Sequence, residues 1–127
     1  MLTKEQIFAA RDLQTEDVDV PEWGGKVRIS VMSGRTREAL MALLQEPQAM
    51  SRFQALVLAS TVVGDDGAVV FSEGDIEQLR DKSTDVLVRL VDVAMRLNKI
   101  GAKATEEVEK NSEAAMSGSS GSDSPAN

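Results

Sequence analysis

Hydrophobic and polar residues alternate in two short segments near the start of the chain. TEDVDV alternates valines with acids, and KVRISV alternates aliphatic residues with Lys, Arg and Ser. A period of two is typical of half-buried strands. Between them, Pro21 has no N–H to donate, while Gly24 and Gly25 permit positive φ. The pattern predicts an antiparallel hairpin with opposite charges paired across it and with Trp23, the single tryptophan, folded over its open end.

Elsewhere the apolar positions recur at helical spacing. Thr3 and Gln6 match a capping box for a short first helix, which we expect to dock on the body of the domain. Ser33 is a suitable N-cap for the next helix, which Pro47 prevents from continuing. Ser72 and Asp75 match a second capping box, following a short predicted strand over 68–71. The predicted helices span 4–12, 35–45, 49–63, 73–82 and 85–100, and the last is expected to be capped by Gly101.

The predicted helix 85–100 carries an unusually wide apolar surface. Its polar residues recur at steps of four, three, four and three, so they form one narrow stripe: Asp85, Arg89, Asp92, Arg96 and Lys99. Within this stripe the i,i+4 spacing favours Asp–Arg ion pairs. The remaining apolar arc is wider than one core face requires. The helix is central and wrapped by its own domain, or one flank meets another subunit or a client, and both can hold on different flanks. The candidate partner-binding residues are Trp23, Leu87, Val91, Ala94 and Met95.

The acidic segment GDDGAVVFSEGD resembles a calcium-binding loop only superficially. With Gly67 at the sixth position of the loop, Val62 and Gly64 fall at the first and third positions, where neither can bind calcium. Asp65, Asp66, Glu73 and Asp75 could form the carboxylate cluster of a small enzyme, but no His or Cys accompanies them, and turn and capping chemistry explains them. The segment therefore predicts an Asp-Gly turn and no metal site.

The amino-acid composition argues against several classes of function. The formal net charge is −7, and the basic residues are scattered singly among acids, which argues against nucleic acid as a partner. Cysteine and histidine are both absent, so the commonest nucleophiles, general bases and zinc ligands are missing. No segment has the length and apolarity of a signal peptide or a membrane span. We therefore expect a cytoplasmic, non-enzymatic protein without a cofactor.

The chain divides into a folded part and a tail. Residues 1–100 are expected to form a single α+β domain, mostly helical, with four main helices, a short N-terminal helix and a small antiparallel β-hairpin. Residues 101–127 lose periodicity and end in the small, polar segment SGSSGSDSPAN, which is typical of a flexible, disordered tail.

Three segments together resemble the tail assembly chaperones of bacteriophages with long, non-contractile tails, the siphoviruses. These segments are LTKEQI, VPEWGGKVRISVMSGRTREAL and DDGAVVFSEGDIEQLRDKSTDVLVRLVDVAMRLN, and the resemblance covers residues 2–100. It implies a protein that binds the helical tape measure protein, keeps it soluble, helps recruit tail tube subunits and associates with itself. Such a protein acts in the host cytoplasm and is absent from the mature virion. The alternative is a structural virion component, such as a tail or head completion protein.

The resemblance also implies a longer form made by ribosomal frameshifting, through which the tail tube protein would be recruited. Glu109, Lys110 and Asn111 can be encoded by a slippery heptamer just before the low-complexity segment. A nucleotide sequence without a slippery run at these codons would remove this hypothesis.

Overall fold

The computed structural model describes residues 1–100, and within them the predicted α+β architecture is confirmed. The tail 101–127 and the frameshift tripeptide 109–111 lie outside the described residues. In chain order the elements are α1 (Lys4–Ala9), β1 (Thr15–Val20), β2 (Gly25–Ser30), α2 (Gly34–Leu43), α3 (Met50–Thr61), β3 (Val62–Val63), α4 (Ile76–Arg80) and α5 (Thr84–Leu97).

The predicted hairpin is present as β1 and β2. The strands are antiparallel, and Val18 lies opposite Val27. A 3₁₀ turn over Pro21–Trp23 joins them and closes at Gly24, whose φ of 81° is left-handed and therefore suits glycine. Gly25 already belongs to β2, so only one of the two glycines needs positive φ. The expected cross-strand ion pairs form, and the Asp17–Arg28 contact is 2.7 Å long.

A third strand extends the sheet in an unpredicted place. β3 pairs with β2, so the strand order is β1-β2-β3. The predicted helix over 49–63 therefore ends at Thr61, since the β-branched Val62 and Val63 adopt extended backbone and pair with β2. The predicted strand over 68–71 was wrong apart from a single bridge between Val69 and Val63. Gly67 has positive φ in the predicted Asp-Gly turn.

Both predicted capping boxes are confirmed, but the helix that follows each of them is shorter than expected. Thr3 and Gln6 cap α1, which ends at Ala9. Ser72 and Asp75 cap a 3₁₀ turn that leads into α4, and the Ser72 backbone N–H donates to the Asp75 carboxylate at 2.8 Å. The predicted helix over 73–82 is thus α-helical only over α4.

The core is aliphatic, as the composition predicts, and α5 lies at its centre. One side of α5 packs against α3, and another packs against the hairpin. The largest fully buried side chains come from the hairpin and from three helices: Val20, Ile29, Leu40, Val57, Leu58, Val86, Leu87 and Leu90. The structure thus favours the first of the two alternatives for this helix, a central position wrapped by its own domain.

A buried asparagine joins the end of α5 to the connection between β2 and α2. Asn98 is 5% exposed, and its Oδ1 accepts a hydrogen bond from the Met32 backbone N–H at 2.7 Å. Its Nδ2 donates to the backbone carbonyls of Ser30 and Ala94. All polar atoms of this side chain therefore have partners, which is what a buried amide requires.

The chain leaves α5 through a Schellman motif. The Ile100 N–H donates to the Met95 carbonyl, and the Lys99 N–H donates to the Arg96 carbonyl. Lys99 occupies the left-handed position with φ of 59°, where glycine is usual. Because the left-handed residue is Lys99, the expected cap at Gly101 is misplaced by two residues.

Candidate functional site

Two ion pairs tie the hairpin to α5. Arg89 donates to both carboxylate oxygens of Glu22 at 2.8 and 3.1 Å. Arg96 donates to both carboxylate oxygens of Glu16 at 2.8 and 2.9 Å. The two arginines lie seven residues, or about two turns, apart and so share one face of the helix. Arg89 donates from two nitrogens, a bidentate geometry that fixes orientation as well as distance. Arg96 donates from Nη2 alone.

These contacts correct the expected ion pairing along α5. The sequence spacing predicts pairs from Asp85 to Arg89 and from Asp92 to Arg96, but both arginines reach across to the hairpin instead. The physical reason is geometric, because each hairpin carboxylate is placed to accept two hydrogen bonds from its arginine. Part of the polar stripe of α5 therefore contacts the hairpin of the same chain.

The ion pairs on the hairpin shift the acidities of their members. Hydrogen bonds from Arg89 hold the pKa of Glu22 below its ordinary value, and the same contact raises the pKa of Arg89. Hydrogen bonds from Arg28 likewise lower the pKa of Asp17, and this contact raises the pKa of Arg28. Both shifts favour the charged, paired forms of Asp17 and Glu22.

Trp23 ends the 3₁₀ turn that joins β1 to β2. Its side chain is half-buried and packs against the hydrophobic core, directly after Glu22 in the chain. The ring is therefore an anchor between the hairpin and the helices, and it keeps a partly exposed surface.

The other sequence-predicted partner residues fall into two groups. Leu87, Val91 and Ala94 are buried in the core. They offer no exposed surface in the folded domain, because α5 is covered by α3 and the hairpin rather than standing free. Met95, like Trp23, is only partly buried. The structure therefore leaves Trp23 and Met95 accessible and does not bring the other three to the surface.

A narrow apolar strip remains on the outer side of α5. Val88 is 42% exposed, and Met95 follows it after two turns, so the two side chains share a face. The exposed Asp85 and Asp92 border this strip. We call Val88 and Met95 the α5 strip. Val88 was absent from the predicted set, although its seven-residue spacing from Met95 was a usable signal.

Most of the exposed apolar surface lies elsewhere. Every residue from 1 to 14 is exposed, so α1 does not dock on the body as expected. Further exposed apolar side chains flank the connection between α2 and α3, namely Leu43 and Met50, and follow β3, namely Val69 and Val70.

The acidic residues after β3 have structural contacts. Asp66 accepts a hydrogen bond from the Ala68 N–H in the turn, and Asp75 belongs to the capping box. Within residues 1–100, no group of three or more Asp, Glu, His or Cys side chains is arranged to hold a metal ion. In the same part of the chain, no helix combines the length and apolarity needed to cross a membrane.

These features define a small acidic protein in which a charged hairpin clamps a central helix and apolar surface stays exposed at several places. Such an arrangement offers surfaces for holding other polypeptides. The solved structure of the tail assembly chaperone of bacteriophage HK97 is similar, with 25% sequence identity and a TM-score of 0.54. The match covers 73% of this chain and 90% of the HK97 chain. No protein-family model and no curated protein matches this chain.

The structural comparison confirms the resemblance that the sequence segments carry. It supports the general role of a phage tail assembly chaperone and points to a non-enzymatic protein. The surfaces described above suit contact with a polypeptide, since they consist of aliphatic side chains, one indole and paired charges.

Proposed function

We propose that this protein binds the tape measure protein during phage tail assembly in the host cytoplasm and keeps it soluble until tube subunits enclose it. The single observation that carries the proposal is the structural similarity to the HK97 tail assembly chaperone. In this proposal the chain is the short form of a frameshift pair, is absent from the mature virion, and recruits the tail tube protein through the longer form.

The α5 strip and Trp23 are the proposed client contacts. An apolar strip bordered by acids accepts the apolar face of a helix, and a methionine adapts to varied side chains. The tryptophan offers a rigid apolar surface on the same domain. The net charge of −7 keeps the complex soluble while the apolar contacts are made.

Co-expression with the tape measure protein of the same phage tests the proposal. We expect the chain to move the tape measure protein from the insoluble to the soluble fraction. Replacement of Val88, which is 42% exposed, by Asp should abolish this effect, because the added charge opposes burial of the strip. Ala42→Asp, which adds a charge at an exposed position of α2, is the matched control and should retain it.

Two outcomes would contradict the proposal. The first is a tape measure protein that stays insoluble although the chain itself is soluble and folded. The second is recovery of the chain in purified virions at stoichiometric amount, which would identify a structural component. Leu87→Asp is unsuitable as a test variant, because a charge at this buried position would unfold the domain.

A further inference from the structure

The two edges of the three-stranded sheet differ in how the chain treats them. Beyond β3, the Val70 N–H donates to the Val62 carbonyl at 3.1 Å. The Gly64 N–H donates to the Ala68 carbonyl in the same region, so the segment after β3 folds back along that edge. At the other edge, no segment within residues 1–100 pairs with β1 on the side away from β2. We call this side of β1 the open edge.

The register of the hairpin identifies the backbone groups that point to the open edge. The Val31 N–H donates to the Gln14 carbonyl at 2.8 Å, so these residues form a hydrogen-bonded pair directly before the first pair of the ladder. In an antiparallel ladder such pairs alternate with pairs that make no hydrogen bond to each other. Counted from Gln14, the residues of β1 whose N–H and C=O groups point away from β2 are Thr15, Asp17 and Asp19.

The pairing of β3 gives the same assignment independently. Val62 lies opposite Ile29 of β2, yet the Val62 carbonyl accepts its hydrogen bond from Val70 on the far side. Val62 and Ile29 are therefore a pair without mutual hydrogen bonds, and the backbone groups of Ile29 point to β1. This places Ile29 and Glu16 in a hydrogen-bonded pair, as the count from Gln14 requires.

The open edge is accessible to another polypeptide. Thr15, Asp17 and Asp19 are all exposed, and among the described residues none of their backbone groups has a hydrogen-bond partner. Each of these residues carries one donor and one acceptor on the main chain. Addition of an extended peptide to a free sheet edge is a recurring mode of recognition, in which the main chain supplies affinity and alternate side chains supply specificity.

The side chains at the open edge decide which strand can pair there. Two copies of β1 side by side would bring the carboxylates of Asp17 and Asp19 together, and like charges on neighbouring strands are destabilising. A strand with basic residues at these positions would meet opposite charges instead. Asp19 is the better placed to accept a further cation, since its side chain is 80% exposed and its contact with Lys26 is 3.8 Å long.

β2 shows which kind of strand pairs with β1. Its sequence KVRIS alternates basic and aliphatic residues, and Lys26 and Arg28 form ion pairs with the aspartates of β1. On the opposite face of the hairpin, Val27 lies across from Val18, and both are half-buried. A segment with the same alternation would place its basic side chains beside Asp17 and Asp19 and its aliphatic side chains beside Val18.

We propose that the open edge binds an extended segment of a partner protein in which basic and aliphatic residues alternate, and that this segment adds a fourth strand to the sheet. The contact is made by the backbone of β1 and uses neither Val88 nor Met95. It is therefore separate from the α5 strip and does not rest on the proposed function.

Amide exchange of the full chain, measured by NMR with and without the synthetic peptide TKVKVKT, tests the proposal. The N–H groups of Thr15, Asp17 and Asp19 should exchange rapidly in the free chain and at least tenfold more slowly with millimolar peptide. The N–H groups of Glu16 and Val18 already donate to β2, so they are the internal control and should change less than twofold.

Two altered peptides separate strand addition from charge attraction. In an antiparallel fourth strand, the lysine N–H groups of the peptide face β1 and the valine N–H groups face solvent. N-methylation of the lysines should therefore abolish the protection, whereas N-methylation of the valines should preserve it. The acidic peptide TEVEVET should give no protection, because its carboxylates would lie beside those of Asp17 and Asp19.

A pair of protein variants tests the specificity of the edge. Asp19→Lys should weaken peptide binding at least fivefold, because the cation of the peptide then meets a like charge. Asp81→Lys makes the same change of charge at an exposed position after α4 and is the matched control, with an expected effect below twofold.

Three outcomes would overturn the proposal. The first is no protection of Thr15, Asp17 and Asp19 at millimolar peptide, and the second is equal protection by the acidic peptide. The third is protection of these amides in the free chain, which would mean that residues 101–127 or a second copy cover the edge. Because the tape measure protein is absent from these measurements, such a failure would leave the proposed chaperone function untouched.

Discussion

The first and last helices of the described chain behave in opposite ways. α5 has 14 residues and five of its side chains are buried, whereas α1 has six residues and buries none. α5 is the more apolar by sequence, but α3 and the hairpin cover it from two sides. α1 has a smaller apolar face that nothing in its own domain covers. Apolar content alone therefore does not identify the surface that is left for a partner.

The largest expected effect is on the covered helix. Leu90 is fully buried, and Leu90→Ala should lower the free energy of unfolding by about 2–5 kcal/mol, because it removes packed atoms and leaves a cavity. Phe8→Ala in α1 should leave the unfolding free energy unchanged, because Phe8 is 80% exposed. Urea denaturation of both variants measures the difference. Equal losses would show that α1 is packed on its own domain.

The second effect concerns the end of α5. Asn98→Ala should cost about 2–3 kcal/mol of stability, since the buried Met32 N–H and Ser30 carbonyl each lose a hydrogen-bond partner. The measurement is again the urea midpoint. Gln45→Ala removes a side-chain amide from the exposed surface instead, so it is the matched control and should have little effect. A loss no greater than that of the control would contradict the role given to Asn98.

A smaller effect, a gain in stability, is expected at the residue after Asn98. Lys99→Gly should raise the stability by up to about 1 kcal/mol, because glycine adopts the left-handed backbone of Lys99 without strain. A thermal melt measures the change. Lys99→Ala keeps the strained conformation and is the matched control, which should give no gain. A lower melting temperature for Lys99→Gly would show that the Schellman geometry is not what limits the helix end.

The smallest expected effect is on stability at acidic pH, and it tests the ion pairs of the hairpin. Asp17 and Glu22 have lowered pKa values in the folded state, so they stabilise the fold above their unfolded pKa values of about 4. That contribution is lost as the pH falls through the lower, folded pKa values. Glu22→Gln should therefore flatten the loss of stability below about pH 4, as followed by urea midpoints. An unchanged profile would mean that the Glu22–Arg89 pair does not contribute.

Local signals in the sequence predicted much of the fold. Both capping boxes, the Ser33 cap and the alternation of the hairpin act within a few residues, so they can be recognised without the tertiary structure. β3 was missed because two residues are too short to show a period, and they follow a helix without a break. The partners of Arg89 and Arg96 were missed because they lie 67 and 80 residues away in the sequence.

The candidate site was less predictable than the fold. Trp23 and Met95 keep exposed surface, but Leu87, Val91 and Ala94 are buried because neighbouring elements cover the flank that the sequence left open. Which flank a neighbouring element covers depends on tertiary packing, and periodicity records only that a flank is apolar. That α1 does not pack on its own domain could not be predicted, for the same reason. Its pattern of apolar residues matches that of a helix that does pack.

Hydrogen exchange of the chain alone, measured at several protein concentrations, tests the contrast between the two helices most directly. We predict that the amides of Leu90 to Ala94 exchange slowly at every concentration, while those of Ile7 and Phe8 exchange rapidly at high dilution. Rapid exchange in α5, or protection of α1 that persists at high dilution, would contradict this contrast.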